Sequence, residues 1–222
     1  MKSLLCFGDS NTHGTIPMHS RDEVSRYSFS QRWPGLVQAA LGGGWRVIEE
    51  GLPGRTSSFD DPEEGKDRNA LRYWEACLQS HRPVDAIVIM LGTNDLKARF
   101  MATPERIGEG VSSLVDVALA NTPPEDSHPY ILVVTPAPIR EVGFFREIFA
   151  GGQGMSQMLS TEFSKLALRK GVQVLHAGDH CEVSGLDGIH LDADAHAQLA
   201  RAISATIQKV FSERERTQDH IQ

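Results

Sequence analysis

The chain has 222 residues, 40% hydrophobic and 23% charged, which fits a globular protein able to bury a core without disulfide or metal staples. Twenty-two Lys and Arg against 29 Asp and Glu leave a net charge of −7, which argues against a nucleic-acid surface and offers no basic patch for a membrane. Cys6, Cys77 and Cys181 form no Cys-x-x-Cys pair, so neither a zinc ribbon nor a redox motif is supported, and the usage suits a reducing compartment.

Residues 2–7 read as a first strand, with Cys6 a small buried hydrophobe, and their apolar stretch is too short for a signal peptide. Residues 31–41 read as a helix ended by Gly42-Gly43-Gly44, and residues 45–49 as a second strand. Residues 68–79 are helical, with Leu71, Trp74 and Leu78 on one face. Residues 84–91 are nearly continuously apolar, as a strand buried on both faces should be. Thr103 suits an N-cap and Pro104 the first position of a helix whose inner stripe is Ile107, Val111, Leu114, Val115 and Ala118.

Residues 130–134 form strand four, 153–170 a helix stopped by Gly171, and 172–175 strand five. A last helix covers 194–211 with Leu199, Ile203, Ile207 and Val210 inward. The polar tail, 212–222, is expected to fray. Phe29, Trp33 and Trp74 are expected in packing positions. No apolar run reaches the roughly 18 residues of a membrane span, and a cytoplasmic location is expected. Strand–helix alternation predicts an α/β fold, a parallel sheet with helices on both faces, in one domain over residues 1–211.

Four short segments then stand out, in order. Gly8-Asp9-Ser10, Gly51-Leu52-Pro53-Gly54 and Gly92-Thr93-Asn94-Asp95 follow strands one, two and three. Asp187-Gly188-Ile189-His190 precedes the last helix. Ligands of open parallel sheets bind beyond the carboxyl ends of the strands, where these segments should converge. Ser10 is a candidate nucleophile, inert until a base takes its proton. His190 is the candidate base and Asp187, three residues before it, the candidate partner of its Nδ1. The Ser10 N–H, the Gly54 N–H and the Asn94 amide are candidate oxyanion donors. Each segment alone is equally ordinary turn chemistry. Asp9 is a rival carboxylate whose place beside Ser10 should point it away.

Other features stay open. His190, Asp192, Asp194 and His196 alternate as metal ligands can, but a helix start would separate them and leave Asp192 or Asp194 as an N-cap. No metal or organic cofactor is expected. The aromatic run 142–149 is either a pocket wall or a subunit contact. Asp60, Asp61, Glu63 and Glu64 read as a solvated loop near the site. Thr12, Thr93, Phe144, Phe145, Ile148 and Ile189 are the expected pocket residues.

The four segments resemble those of the SGNH, or GDSL, hydrolases, whose blocks contribute Ser, Gly, Asn and His, here Ser10, Gly54, Asn94 and His190, with Asp187 in the Asp-x-x-His pattern. Residues 6–10, 49–52, 89–95 and 187–190 resemble the bacterial arylesterase and acyltransferase branch more narrowly. The resemblance implies a flavodoxin-like three-layer α/β/α sandwich with a central parallel sheet of about five strands. It also implies a serine esterase acting on small-molecule short-chain acyl esters, with acyl transfer as a side activity, and a homo-oligomer. Two departures are visible. Asn11 replaces the usual Leu after the serine, a position adjacent to the chemistry rather than part of it. Thr15 stands where a relative carries a bulky aromatic, which favours water as acceptor. A carbohydrate deacetylase with the same triad is the alternative, and a metal-dependent hydrolase or a non-catalytic binding module are the rivals from other classes.

Overall fold

The computed structural model describes residues 1–20, 22–121 and 128–219. Its five strands are β1 (Lys2–Gly8), β2 (Trp45–Gly51), β3 (Ala86–Met90), β4 (Tyr130–Thr135) and β5 (Gln173–His176). They pair in the order β2-β1-β3-β4-β5, every neighbouring pair parallel. The helices are α1 (Ser10–His13), α2 (Trp33–Leu41), α3 (Ala70–His81), α4 (Pro104–Ala120), α5 (Gly152–Lys170) and α6 (Ala193–Asp219).

Successive side chains of a strand point to opposite faces, and here both faces are apolar. Leu5 and Phe7 of β1, with Ile87 and Ile89 of β3, join one core, covered by α3, α4 and α5. Leu4 and Cys6, with Ala86 and Val88, join the other, covered by α2 and α6. The result is the three-layer α/β/α sandwich. Trp74 anchors the first core: its ring lies 4.2 Å from that of Phe7, and its indole N–H donates to the Leu114 carbonyl at 2.8 Å. A buried indole needs such an acceptor, because an unpaired polar group in the core is costly.

The chain steps from β1 to one side for β2, then crosses back to the other side for β3. The loops after β1 and β3 therefore diverge and open a crevice at the sheet's carboxyl edge. Segments that follow β1, β2 and β3 all reach that edge.

Several boundaries differ from expectation, each for a local reason. The helix expected over 31–41 starts at Trp33, with Pro34 in its first turn. The one expected from 68 starts at Ala70, where the Asn69 side chain caps it by accepting from the Leu71 N–H at 3.1 Å. Thr103 caps α4 as its sequence suggests. The last helix is longer than the expected 194–211. α6 continues to Asp219, because no glycine or proline interrupts it and Glu215 is tied to Lys2 at 2.6 Å. Residues 220–222 of that tail lie outside the described residues. Trp33 and Trp74 are wholly buried, whereas Phe29 is 46% exposed with the Arg32 guanidinium over its ring. Among the described residues no helix is long and apolar enough to cross a membrane.

Candidate active site

Past the end of β1 the Asp9 carboxylate accepts the Asn11 N–H at 2.9 Å and caps α1, so Ser10 opens that one-turn helix at the sheet edge. Gly8 has to lack a side chain here. A Cβ would lie 2.1 Å from the Thr12 hydroxyl and 2.7 Å from the Met90 carbonyl. Asp9 does not point away as expected. Its second oxygen stands 3.5 Å from the Asn94 amide nitrogen, although Asp9 itself does not line the cavity of Ser10 and His190. Burial pushes the Asp9 carboxyl up to about 6, against the opposing pull of the Asn11 N–H, His190 and Arg55.

The Asp187 carboxylate is fully buried and saturated. One oxygen accepts the backbone N–H groups of Ile189 (3.1 Å) and His190 (3.0 Å). The other accepts the Met18 N–H at 3.0 Å and pairs with His190 Nδ1 at 2.7 Å. Burial alone would raise this carboxyl, but the His190 ring and the N–H groups of His190 and Met18 outweigh it and hold it below its ordinary value. A carboxylate accepts at Nδ1 only when that nitrogen carries the proton, which leaves Nε2 as the free acceptor. Among the described residues neither Ser10 Oγ nor His190 Nε2 has a hydrogen-bond partner, and both open onto one cavity.

That cavity has a volume of about 260 Å³. Ser10, Gly54, Asn94 and His190 share it, so the residues expected from four separate segments meet there. Gly54 lines the cavity with φ +80°, a left-handed backbone that favours glycine, and a Cβ on it would meet a Glu64 carboxylate oxygen at 2.2 Å. One side of the cavity is apolar, formed by Met18, Val24, Phe145, Phe149 and Ile189. Glu64, Arg68 and Lys97 are its charged lining residues.

Of the expected pocket residues, Phe145 and Ile189 line the cavity, the Phe145 ring standing edge-on to His190 at 5.7 Å. Thr12 and Thr93 do not: both are buried beneath the floor, Thr12 packed under Gly8. Phe144 is 41% exposed and meets the Phe145 ring edge-to-face at 5.1 Å, while Ile148 packs on the core. The aromatic run thus divides. Phe145 and Phe149 form the wall, and Val142 and Phe144 face outward.

The acidic loop is solvated only in part: Asp60 and Glu63 are exposed, as expected. Asp61 is buried and accepts from Lys97 (3.2 Å) and Arg99 (2.7 Å), and Lys97 reaches Glu64 at 2.7 Å. This loop is an ion-paired wall of the cavity, since Lys97 arrives from the turn after β3.

Three residues that hold the segments together were not expected. The Asn11 amide donates to the Ile189 carbonyl and its oxygen accepts the Leu191 N–H, both at 2.9 Å. The two bonds flank His190, so Asn11 is part of the site's framework. Arg55 donates to the carbonyls of Gly8 and Glu50, joining the loop of Gly54 to that of Ser10. Asp95 accepts the Ser57 N–H at 2.9 Å and its hydroxyl, joining the loop of Asn94 to that of Gly54. An asparagine after Ser10 was the one visible signal, as a departure from the usual apolar residue.

The alternating His and Asp run does not form a ligand set. Asp192 caps α6 through the Ala195 N–H at 2.8 Å, and His196 Nδ1 accepts the Trp33 N–H at 3.2 Å. Elsewhere, Glu50, Cys77 and His81 bring a carboxylate oxygen, a sulfur and an imidazole nitrogen within 4.8 Å of one another.

The sequence model of the GDSL-like lipase/acylhydrolase family matches residues 6–198. The aryl esterase of M. smegmatis superimposes with a TM-score of 0.90 at 36% identity, covering 94% of this chain and 99% of its own. The carbohydrate acetylesterase Est24 of Sinorhizobium meliloti superimposes with a TM-score of 0.88 at 40% identity, covering 95% and 100%. No curated protein sequence matches the chain.

Asp9 gives a test of these electrostatics. A carboxyl raised from 3.8 to about 6 on folding contributes stability that is complete below about pH 4 and lost as pH rises through 6. Asp9→Asn keeps an acceptor for the Asn11 N–H and removes the charge. Relative to wild type it should be nearly neutral at pH 4 and stabilising at pH 7, by up to about 3 kcal/mol. Urea midpoints at the two pH values measure this, and a difference independent of pH would contradict it.

Proposed function

The chain belongs to the GDSL-like lipase/acylhydrolase family and is a serine ester hydrolase, and we propose that Ser10 is its nucleophile, His190 its general base and Asp187 the residue that orients His190. The observation that carries this reading is the 2.7 Å contact between Asp187 and His190 Nδ1, which leaves Nε2 to face the cavity it shares with Ser10.

Ser10 Oγ attacks the ester carbonyl as its proton passes to Nε2. The oxyanion takes hydrogen bonds from the N–H groups of Ser10 and Gly54 and the Asn94 amide, where each donor is worth roughly 2.7–4 kcal/mol of barrier. His190 then protonates the leaving alcohol. Water attacks the acyl-Ser10 ester as His190 takes its proton, and His190 then returns that proton to Ser10 Oγ as the acyl–oxygen bond breaks and the acid departs. No step needs a metal or an organic cofactor.

A cavity of about 260 Å³ is smaller than the roughly 300–1,000 Å³ of drug-sized sites, which supports a short acyl chain against Phe145 and Phe149. Thr15 lines it where a larger ring would exclude water, so hydrolysis dominates and acyl transfer is a side activity. The charged lining of Glu64, Arg68 and Lys97 favours a second reading, in which the alcohol side is an acetylated carbohydrate. The partner is a small-molecule ester rather than nucleic acid or a bilayer, in keeping with a net charge of −7. The exposed Val142 and Phe144 support a homo-oligomer, and three buried, unpaired cysteines support a cytoplasmic location.

Ser10→Ala is expected to lower p-nitrophenyl acetate turnover by at least roughly 1,000-fold without loss of fold. Near-wild-type rates would refute the assignment. Across acetate to decanoate esters, kcat/KM should fall as the chain outgrows the cavity. Asn11→Ala releases the backbone on both sides of His190, so kcat should drop roughly 10–100-fold with KM little changed. An unchanged kcat would show that the two bonds do not position the base.

A further inference from the structure

Glu50, Cys77 and His81 bring a carboxylate oxygen, a thiol sulfur and an imidazole nitrogen all within 4.8 Å of one another. Glu50 lies near the end of β2. Cys77 and His81 are four residues apart on α3, and so share one face of that helix. His81 Nε2 is 2.8 Å from a Glu50 oxygen, and the Tyr73 hydroxyl reaches the same carboxylate at 3.2 Å. Cys77 is buried, while the Glu50 and His81 side chains keep 19% and 23% exposure. Glu50 and Tyr73 also line a separate cleft of about 460 Å³, which opens a route from solvent.

We propose that Glu50, Cys77 and His81 bind a divalent cation of the zinc type. Thiolate, imidazole and carboxylate are the donors zinc favours, and three protein ligands leave a fourth position for water. Bond lengths near 2.0–2.1 Å put tetrahedral nitrogen and oxygen ligands roughly 3.3 Å apart. The His81–Glu50 contact therefore has to open by about half an ångström from its 2.8 Å, and the Cys77 sulfur, within 4.8 Å of both, has to lie roughly 3.6 Å from each. One thiolate and one carboxylate match the charge of the dication, with the Arg55 guanidinium, which interacts with both Glu50 and Cys77, as a further positive charge beside them. Burial holds the Cys77 thiol up at about 12, so the cation itself must displace that proton, which goes to bulk buffer as the metal–sulfur bond forms. None of the three residues lines the cavity of Ser10 and His190.

Cobalt(II) added to the full chain with a non-thiol reductant is the probe. One equivalent should produce thiolate-to-cobalt charge-transfer absorption and the intense visible bands of a tetrahedral site, both erased by zinc(II). His81→Gln and Cys77→Ser should each abolish the charge-transfer band. His81 ends α3 and is half-buried, so His81→Gln should keep wild-type p-nitrophenyl acetate turnover, which verifies its fold even if Cys77→Ser is unstable. The absence of the band in the wild type, or its full intensity in His81→Gln, would overturn the proposal.

Discussion

One buried carboxylate sets the geometry of the cleft. Asp187 accepts four N–H groups, from Met18, Ile189 and both the backbone and ring of His190. Burying an ion costs several kcal/mol unless its lone pairs are engaged, and here they are. The same bonds fix the tautomer and direction of the His190 ring. Because Met18 follows α1 and His190 precedes α6, this single group also ties the beginning of the chain to its end.

The remaining loops are joined by the same kind of bond. Asn11 spans His190, Arg55 links the loops after β1 and β2, and Asp95 links those after β2 and β3. Four loops from distant parts of the sequence thus form one framework on a rigid parallel sheet. Burial of Asp9 and Asp95, each pushed up to about 6, is the electrostatic cost of building that framework from charged side chains. Most of the charge is nonetheless compensated in place, as where Asp61 meets Lys97 and Arg99.

Much of this was legible in the sequence, for physical reasons. The strands read clearly because both faces of the sheet are apolar, and the helices because their inner stripes repeat at helical spacing. Gly8-Asp9-Ser10 and its three companions were visible because each sits where a strand must end. What local pattern cannot carry is pairing over long distances. Asn11 and its partners are 178 and 180 residues apart, and nothing near Asn11 marks them. Asp61 and Glu64 read as a solvated loop because Lys97 and Arg99, which bury them, come from another segment. Thr12 stands two residues after Ser10 and Thr93 one before Asn94, yet both are buried and neither lines the cavity. The last helix runs past 211 because Glu and Arg are sound helix formers and Glu215 has a partner in Lys2.

The most direct test of the central assignment is covalent. A p-nitrophenyl phosphonate incubated with the protein, followed by intact mass and peptide mapping, reports which atom is nucleophilic when the four loops are assembled. One phosphonyl group per chain, on Ser10, with esterase activity lost in proportion, is the expected result. Full loss of activity with Ser10 unmodified would contradict it.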